Sequence, residues 1–494
     1  MSESNGHNAV IGLLAGQGGI RPLAARWVVA VEAVLQSAAH FGGQGDELTD
    51  MPLIRDARDG LPLLPGTSLA GALRSYLADF LNGYRSREPA EVARLFGSSR
   101  GDDIGPQSPL IVFDSLGRLP QGLSSEIRDG VSIDAATGTA EDHKKFDFEV
   151  LPPGTVFPLR LELVVENTAQ ESQLVGLLAA SLRALETGEL TIGMRRSRGL
   201  GRFSATNWRA YRYDLSSSHG WLEWLLSEHD RPIPAGKALQ PDLGSALRNA
   251  CRNAQWQTFE DQRNRLICDL FLRQQGGVLV RSPGLTPDAP DVAHLTSGGQ
   301  PVLPGTTLAG VLRTRALRIA RIVRARHGDA EHWVHALFGP RTREENQTNT
   351  PLVSSRIRIS EAALESAKPM RPSRVRIDRF TQGVVPAALF DEEPWFGGET
   401  CIRMELRDPQ EGEVGFFLLL VKDLLTGDLP VGGTASVGRG ILAGRAKLRL
   451  SDGFEADIEP DRGLPEPILK RLDREIRSFH EAPPRSRSQE VKHG

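Results

Sequence analysis

The chain repeats itself once, and a repeat this long constrains the fold more than any other feature. Leu64-Pro-Gly-Thr-Ser-Leu-Ala-Gly-Ala-Leu-Arg74 returns 239 residues later as Leu303-Pro-Gly-Thr-Thr-Leu-Ala-Gly-Val-Leu-Arg313. Leu95-Phe96-Gly97 returns as Leu337-Phe338-Gly339, Ile133-Asp134 as Ile377-Asp378, and Ser197-Arg-Gly-Leu-Gly201 as Ser436-Val-Gly-Arg-Gly440. The four matches keep their order and nearly one offset. A period of this length means two copies of a whole domain, not a solenoid of small units. The copies are expected over Trp27 to Tyr213 and Arg265 to Leu450. The domains divide as 1–215, a linker with short helices at 216–260, 261–455, and a partly disordered C-terminal extension at 456–494.

Each copy reads as strand, Gly-rich loop, amphipathic helix, strands, second helix and last strand. Val28, Val29, Val31 and Val34 mark the first strand of copy one, and Leu266 to Arg273 supply it in copy two. Leu69, Leu73, Leu77 and Phe80 share one helical face, with Thr67 as the expected N-cap. This order predicts an α+β fold: two tandem ferredoxin-like (RRM-like) domains, each with a β-hairpin insertion.

Composition limits the function. With 39% hydrophobic and 24% charged residues, a fully disordered chain is excluded. The net charge of −3 means that any nucleic-acid contact must come from local patches. Three cysteines in 494 residues argue against a disulfide scaffold. The apolar run Val414 to Val421 is too short to span a bilayer, and Met1 to His7 is polar. The expectation is a cytoplasmic protein with no membrane partner.

Three features could hold phosphate. The turn before Thr67 and Ser68 opens a helix whose N–H groups suit an anion, with Gly71 and Arg74 further along the same face. Thr306, Thr307 and Arg313 repeat the pattern. The other reading is a capped core helix carrying one surface arginine. The loop holding Arg195, Arg196, Arg198 and Arg202 around two glycines is either a donor-rich anion nest or a solvated turn. Copy two retains Arg439 there. Phe380 and Phe390 either stack on bases or belong to a core. His40 is either structural or near a site. The Gly97-Ser-Ser-Arg-Gly101 and Gly438-Arg-Gly-Ile-Leu-Ala-Gly444 runs lack the strand–turn–helix context of a hydrolase elbow or a dinucleotide loop.

Taken together, Gly42-Gly43, Asp50-Met-Pro-Leu-Ile-Arg-Asp56, the Pro-Gly-Thr turn, Leu-Phe-Gly, Phe146-Asp-Phe-Glu149 and Ser197-Arg-Gly-Leu-Gly201 resemble the RAMP superfamily. The likeness is to backbone subunits of type III CRISPR effector complexes, with two copies fused. The resemblance implies a crRNA guide, a target single-stranded RNA and other type III effector subunits as partners. It implies hairpin thumbs at about Asp129–Phe148 and Arg376–Trp395, with Phe380 and Phe390 on the second. It also implies a catalytic aspartate after the first strand, which Asp50 matches. An exposed carboxylate titrates near pH 3.9 and is a weak base. The implied role is to orient the target 2′-OH or hold a divalent ion, Mg or Mn. Asp50 lies 15 residues before Pro65; the same step back from Pro304 reaches Ala289, flanked by Asp288 and Asp291. Asp291 is the expected counterpart, since its run still leads into Pro-Val-Leu-Pro-Gly. The rival readings are a non-catalytic RNA scaffold of the same complex and an unrelated RRM-like enzyme.

Overall fold

The computed structural model describes residues 23–483 except 44–48, 86, 99–104, 106, 132–144, 229, 235, 252–254, 284–288 and 341–352. Copy one runs β1 (Ala25–Leu35), α1 (Gly66–Asn82), α2 (Ala90–Phe96), β2 (Leu110–Val112), β3 (Glu126–Gly130), β4 (Phe146–Val150), β5 (Val156–Val165), α3 (Thr168–Glu186) and β6 (Phe203–Asp214). Its sheet has the order β2-β5-β1-β6, antiparallel throughout, the arrangement of a ferredoxin-like domain. The alternating apolar residues of β1 and β5 face the buried sides of α1 and α3, giving one core.

After α4 (Ser218–Leu225) and α5 (Leu243–Ala250), copy two repeats the plan. It comprises β7 (Arg265–Gln274), α6 (Gly305–Val323), α7 (Ala330–Phe338), β8 (Ile357–Ile359), β9 (Ser373–Ile377), β10 (Val384–Glu393), β11 (Glu399–Arg407), α8 (Glu413–Leu425) and β12 (Leu442–Leu450). The sheet order is β8-β11-β7-β12, extended by β13 (Glu455–Ile458), and a second core lies beneath it. Strands β3–β4 and β9–β10 form the two hairpins.

One expectation is revised and two gain detail. Residues 216–260 hold the expected short helices, and the second of these packs into copy one. Leu243, Ala246 and Leu247 of α5 are spaced for one helical face and are buried in the first core. The N–H groups of Gln257 and Gln262 bond the Ser172 and Phe80 carbonyls at 3.1 and 2.9 Å. The segment from 456 is folded as far as it is described: β13 adds an edge strand, and α9 (Glu466–Glu481) stacks Phe479 on Phe416 at 4.5 Å. The basic tail from 484 lies outside the described residues, as do Ile133, Asp134, Asp288 and the hairpin's Gly138, Asp142 and Lys144. Finally, Thr67 and Thr306 are not helix caps. Pro65 and Pro304 hold the cap positions, and no side chain caps either helix. A proline-fixed φ starts each helix two residues earlier than a threonine cap would.

Candidate active site and nucleic-acid interface

In copy one the loop after β1 returns along the root of the hairpin. The Asp50 N–H donates to Asp147 Oδ1 at 2.8 Å, and the Asp147 N–H donates to Asp50 Oδ2 at 3.0 Å. This reciprocal pair ties an exposed aspartate to β4 and leaves one oxygen of each carboxylate without a partner among the described residues. Below it, Glu149 accepts from the Leu53 N–H at 3.0 Å and from Arg55 at 2.5 Å. Burial alone would raise the Glu149 pKa, but Ser125, the Leu53 N–H and Arg55 together hold it below the usual carboxylate range. His40 is buried and its Nδ1 lies 2.7 Å from the Glu149 carbonyl, so it braces the loop from behind.

Copy two builds the same corner. Asp291 Oδ2 accepts from the Asp391 N–H at 3.0 Å, on the strand of the second hairpin. Asp50 and Asp291 are therefore counterparts, as are Asp147 and Asp391. The second corner differs in two respects: among the described residues only one of the two exchanged bonds recurs, and Arg371 pairs with Asp391 at 3.1 Å. Sequence reasoning quoted Asp147 within Phe-Asp-Phe-Glu without assigning it a role. Its recurrence as Asp391, at an offset of 244, was the available signal.

The arginine loop of copy one is wedged between the copies. Arg195 adopts a left-handed conformation (φ 54°) and lies over the rings of Phe146 and Phe148 at 4.9 and 4.7 Å. A buried Arg198 Nη1 has no hydrogen-bond partner. Neither arginine has a carboxylate partner among the described residues. Burial lowers the pKa of both, and Arg195 adds to the effect at Arg198. Two adjoining, half-desolvated cations without a counter-ion are a built-in demand for an anion. Arg202 donates to the Gly188 carbonyl at 2.7 Å, and Arg196 is exposed.

The other phosphate candidates fare differently. Arg74 is held by Glu88 at 2.6 Å, and Arg313 donates to the Gly339 carbonyl at 2.7 Å. Both fasten the first helix to the segment that follows it and are not open cations. The α1 N-terminus is also taken, because the Gly66 N–H donates to Asp114 Oδ1 at 2.6 Å. The corresponding Gly305 is covered by the Arg198 carbonyl, which an added Cβ would meet at 2.1 Å. Thr67, Ser68 and Gly71 remain on an exposed helix face, while Thr306 and Thr307 are half-buried. Arg439 is buried and paired with Glu392 at 2.7 Å. In the repeat it aligns with Leu200, and the four arginines of copy one align with Thr434, Ala435, Val437 and Ile441. The second loop therefore carries no cation at those places.

On the second hairpin, Phe380 at the tip is 86% exposed and Phe390 is 42% exposed, so neither is core. Trp395 lies beyond the hairpin, paired with the Gly277–Val278 strand.

The copies meet through a buried bidentate pair: Arg128 at the root of the first hairpin donates to Glu361 at 2.5 and 3.0 Å. Burial opposes charge on Arg128, but Glu361 outweighs it and raises the arginine's pKa. Gly199 abuts the Glu361 N–H, and the Tyr84 hydroxyl donates to Glu405 at 3.0 Å.

Two copies of a split four-stranded sheet, each with a root-anchored hairpin and a Gly-rich loop after the third helix, define the class. The RAMP superfamily model matches residues 32–204 and 276–443, and the chain belongs to that superfamily. Among curated relatives, it is 27% identical over 190 residues to a protein named CRISPR system Cms endoribonuclease Csm3 from Streptococcus thermophilus. That match covers 34% of this chain and 81% of the relative. A protein of the same name from Enterococcus italicus is 36% identical over 70 residues, covering 12% of this chain and 33% of the relative. No helix among the described residues is long and apolar enough to cross a membrane.

Proposed function

We propose that the chain is a crRNA-binding backbone subunit of a type III CRISPR ribonucleoprotein and that it cleaves complementary target RNA beside each hairpin. The observation that carries this reading is the twofold recurrence of an exposed aspartate hydrogen-bonded to a hairpin root, Asp50 with Asp147 and Asp291 with Asp391. Two sister modules then sit on one polynucleotide. The unpaired Arg195 and Arg198 bind guide phosphates between them. The exposed Phe380 and Phe390 press on the duplex.

In the reaction, the target 2′-OH attacks the adjacent phosphorus and the bond to the 5′ oxygen breaks. The products are a 2′,3′-cyclic phosphate and a 5′-OH. Asp50 accepts a hydrogen bond from the attacking hydroxyl. Asp147 holds Asp50 at the hairpin, where a bent backbone approaches in-line geometry. Among the described residues no group of three or more acidic, histidine or cysteine side chains could hold a metal. The two carboxylates at the first corner do fit an ion that takes one or two protein carboxylates and completes its shell with substrate phosphate and water. Asp50 and Asp147 would hold such an ion, and Mg or Mn would supply charge neutralisation at the phosphate.

The test is cleavage of labelled target RNA by the assembled complex carrying Asp50→Ala, Asp291→Ala or both. Each substitution should remove one cut and leave crRNA in the complex. Unchanged cutting would leave a non-catalytic scaffold. The Arg371–Asp391 pair favours that scaffold role for copy two alone, because it neutralises the second carboxylate.

A further inference from the structure

Between the copies lies a cavity of about 120 Å³, room for roughly four waters or one tetrahedral oxyanion. Exposed Gln36, Ser75 and Arg196 line it, so it opens to solvent on that side. Its wall is rich in arginine, and most of these guanidiniums are matched by acids. Arg263 and Arg265 pair with Glu189 at 2.8 and 2.9 Å. Arg403 pairs with Asp269 at 2.6 Å, and Arg407 reaches Asp79 at 3.4 Å and Glu405 at 3.5 Å. Glu361 is consumed by Arg128.

Three lining arginines are left over. Arg358 stands directly opposite Glu405 across the β8–β11 ladder, yet makes no ion pair with it. Glu405 is already engaged by the Tyr84 hydroxyl, Arg407 and Arg265. Arg202 bonds only a carbonyl, and Arg196 has no carboxylate partner among the described residues. Burial, reinforced by Arg407, pushes the Arg358 pKa down to about 10, with Arg196 adding to the effect. Removing guanidinium groups from water without a counter-charge is unfavourable unless an anion supplies one.

We propose that this inter-copy cleft binds one phosphate group, held by Arg196, Arg202 and Arg358 and screened from bulk water by the contact between the copies. The site spans both copies, so its occupant locks their relative placement. The inference rests on the cleft alone and stands apart from the cleavage chemistry at Asp50.

The probe is inorganic phosphate, titrated against chloride at constant ionic strength into the full-length chain freed of nucleic acid. Thermal unfolding and calorimetry give the readout. The wild-type chain should show a saturable rise in melting temperature, and Arg358→Met should bind at least tenfold more weakly. Because Arg358 is half-buried, Arg196→Ser is the companion variant. It alters an exposed side chain, should melt as wild type without phosphate, and should bind several-fold more weakly. Absence of a saturable phosphate effect in the wild type, or an equal effect in both variants, would overturn the proposal. Adding guide RNA separates the sources. Displacement of phosphate identifies a backbone phosphate as the natural occupant, and retention identifies the free ion.

Discussion

Removing Arg128 should destabilise the contact between the copies far more than removing both members of its pair. The Arg128 and Glu361 side chains are 5% and 3% exposed and share two hydrogen bonds. In Arg128→Met the Glu361 carboxylate stays buried without its cation. Deleting one partner of a buried pair in this way costs roughly 3–5 kcal/mol. Glu361→Leu strands Arg128 instead, relieved in part by Glu126 at 3.9 Å, and should cost somewhat less. The double variant Arg128→Met/Glu361→Leu strands neither group and should fall within about 1 kcal/mol of wild type. Urea unfolding followed by tryptophan fluorescence closes the cycle. A single-variant deficit below about 1 kcal/mol, or strict additivity in the cycle, would refute the reasoning.

The equivalent glycines of the two loops give a paired test. Gly199 and Gly438 both lie at positive φ, but a Cβ on Gly199 would meet the Glu361 nitrogen at 2.1 Å, whereas Gly438 has open space. Gly438→Ala should cost about 1–2 kcal/mol of backbone strain, and Gly199→Ala a further 1–3 kcal/mol from overpacking, read as a difference in urea midpoint. His294 is buried, accepting from the Val280 N–H and facing the Val302 carbonyl, each at 3.0 Å. Burial pushes its pKa down to about 4, so the unfolded chain takes up a proton near pH 6.5 while the folded chain does not. Stability of copy two is then full above about pH 6.5 and falls by about 3 kcal/mol as the pH drops to 4. A melting temperature flat over that window, after allowing for the rest of the chain by comparison with His294→Gln, would contradict it.

The duplication made the architecture readable because apolar periodicity and Pro-Gly turns are local properties. The first strands, the helices after each Pro-Gly and the sheet content all follow from neighbours in sequence. Counting back from Pro304 reaches Ala289, and Asp291 was preferred because its run leads into Pro-Val-Leu-Pro-Gly; in the structure it bonds the Asp391 N–H of the second hairpin. What sequence could not supply was who faces whom. Arg74 and Arg313 look like phosphate ligands until Glu88 and the Gly339 carbonyl are seen to occupy them. Arg439 looks like a relic of the arginine loop. Its buried partner Glu392 stands where copy one has Phe148, so an apolar contact of Leu200 with Phe148 has become an ion pair. Such exchanges are invisible without both partners, which lie tens of residues apart.

The two loops also explain why the copies are not interchangeable. Among the described residues, copy one's loop has the other domain docked against it and carries four arginines, whereas copy two's loop carries Arg439 alone, paired with Glu392. The backbone is preserved, since Arg195 and Thr434 share a left-handed conformation at φ 54° and 58°, and Gly199 and Gly438 share another. The divergence is thus confined to side chains whose environment the neighbouring copy creates. An arginine half-desolvated by a neighbour binds an anion more strongly than one in open solvent, because the local dielectric is lower and part of the dehydration is already accomplished. At the free face of copy two, where Val437 is 58% exposed, the same arginines would be screened and gain little. At the junction between two sister domains Arg198, Arg202 and Arg358 lie half-buried with no carboxylate partner among the described residues, despite a net charge of −3 overall.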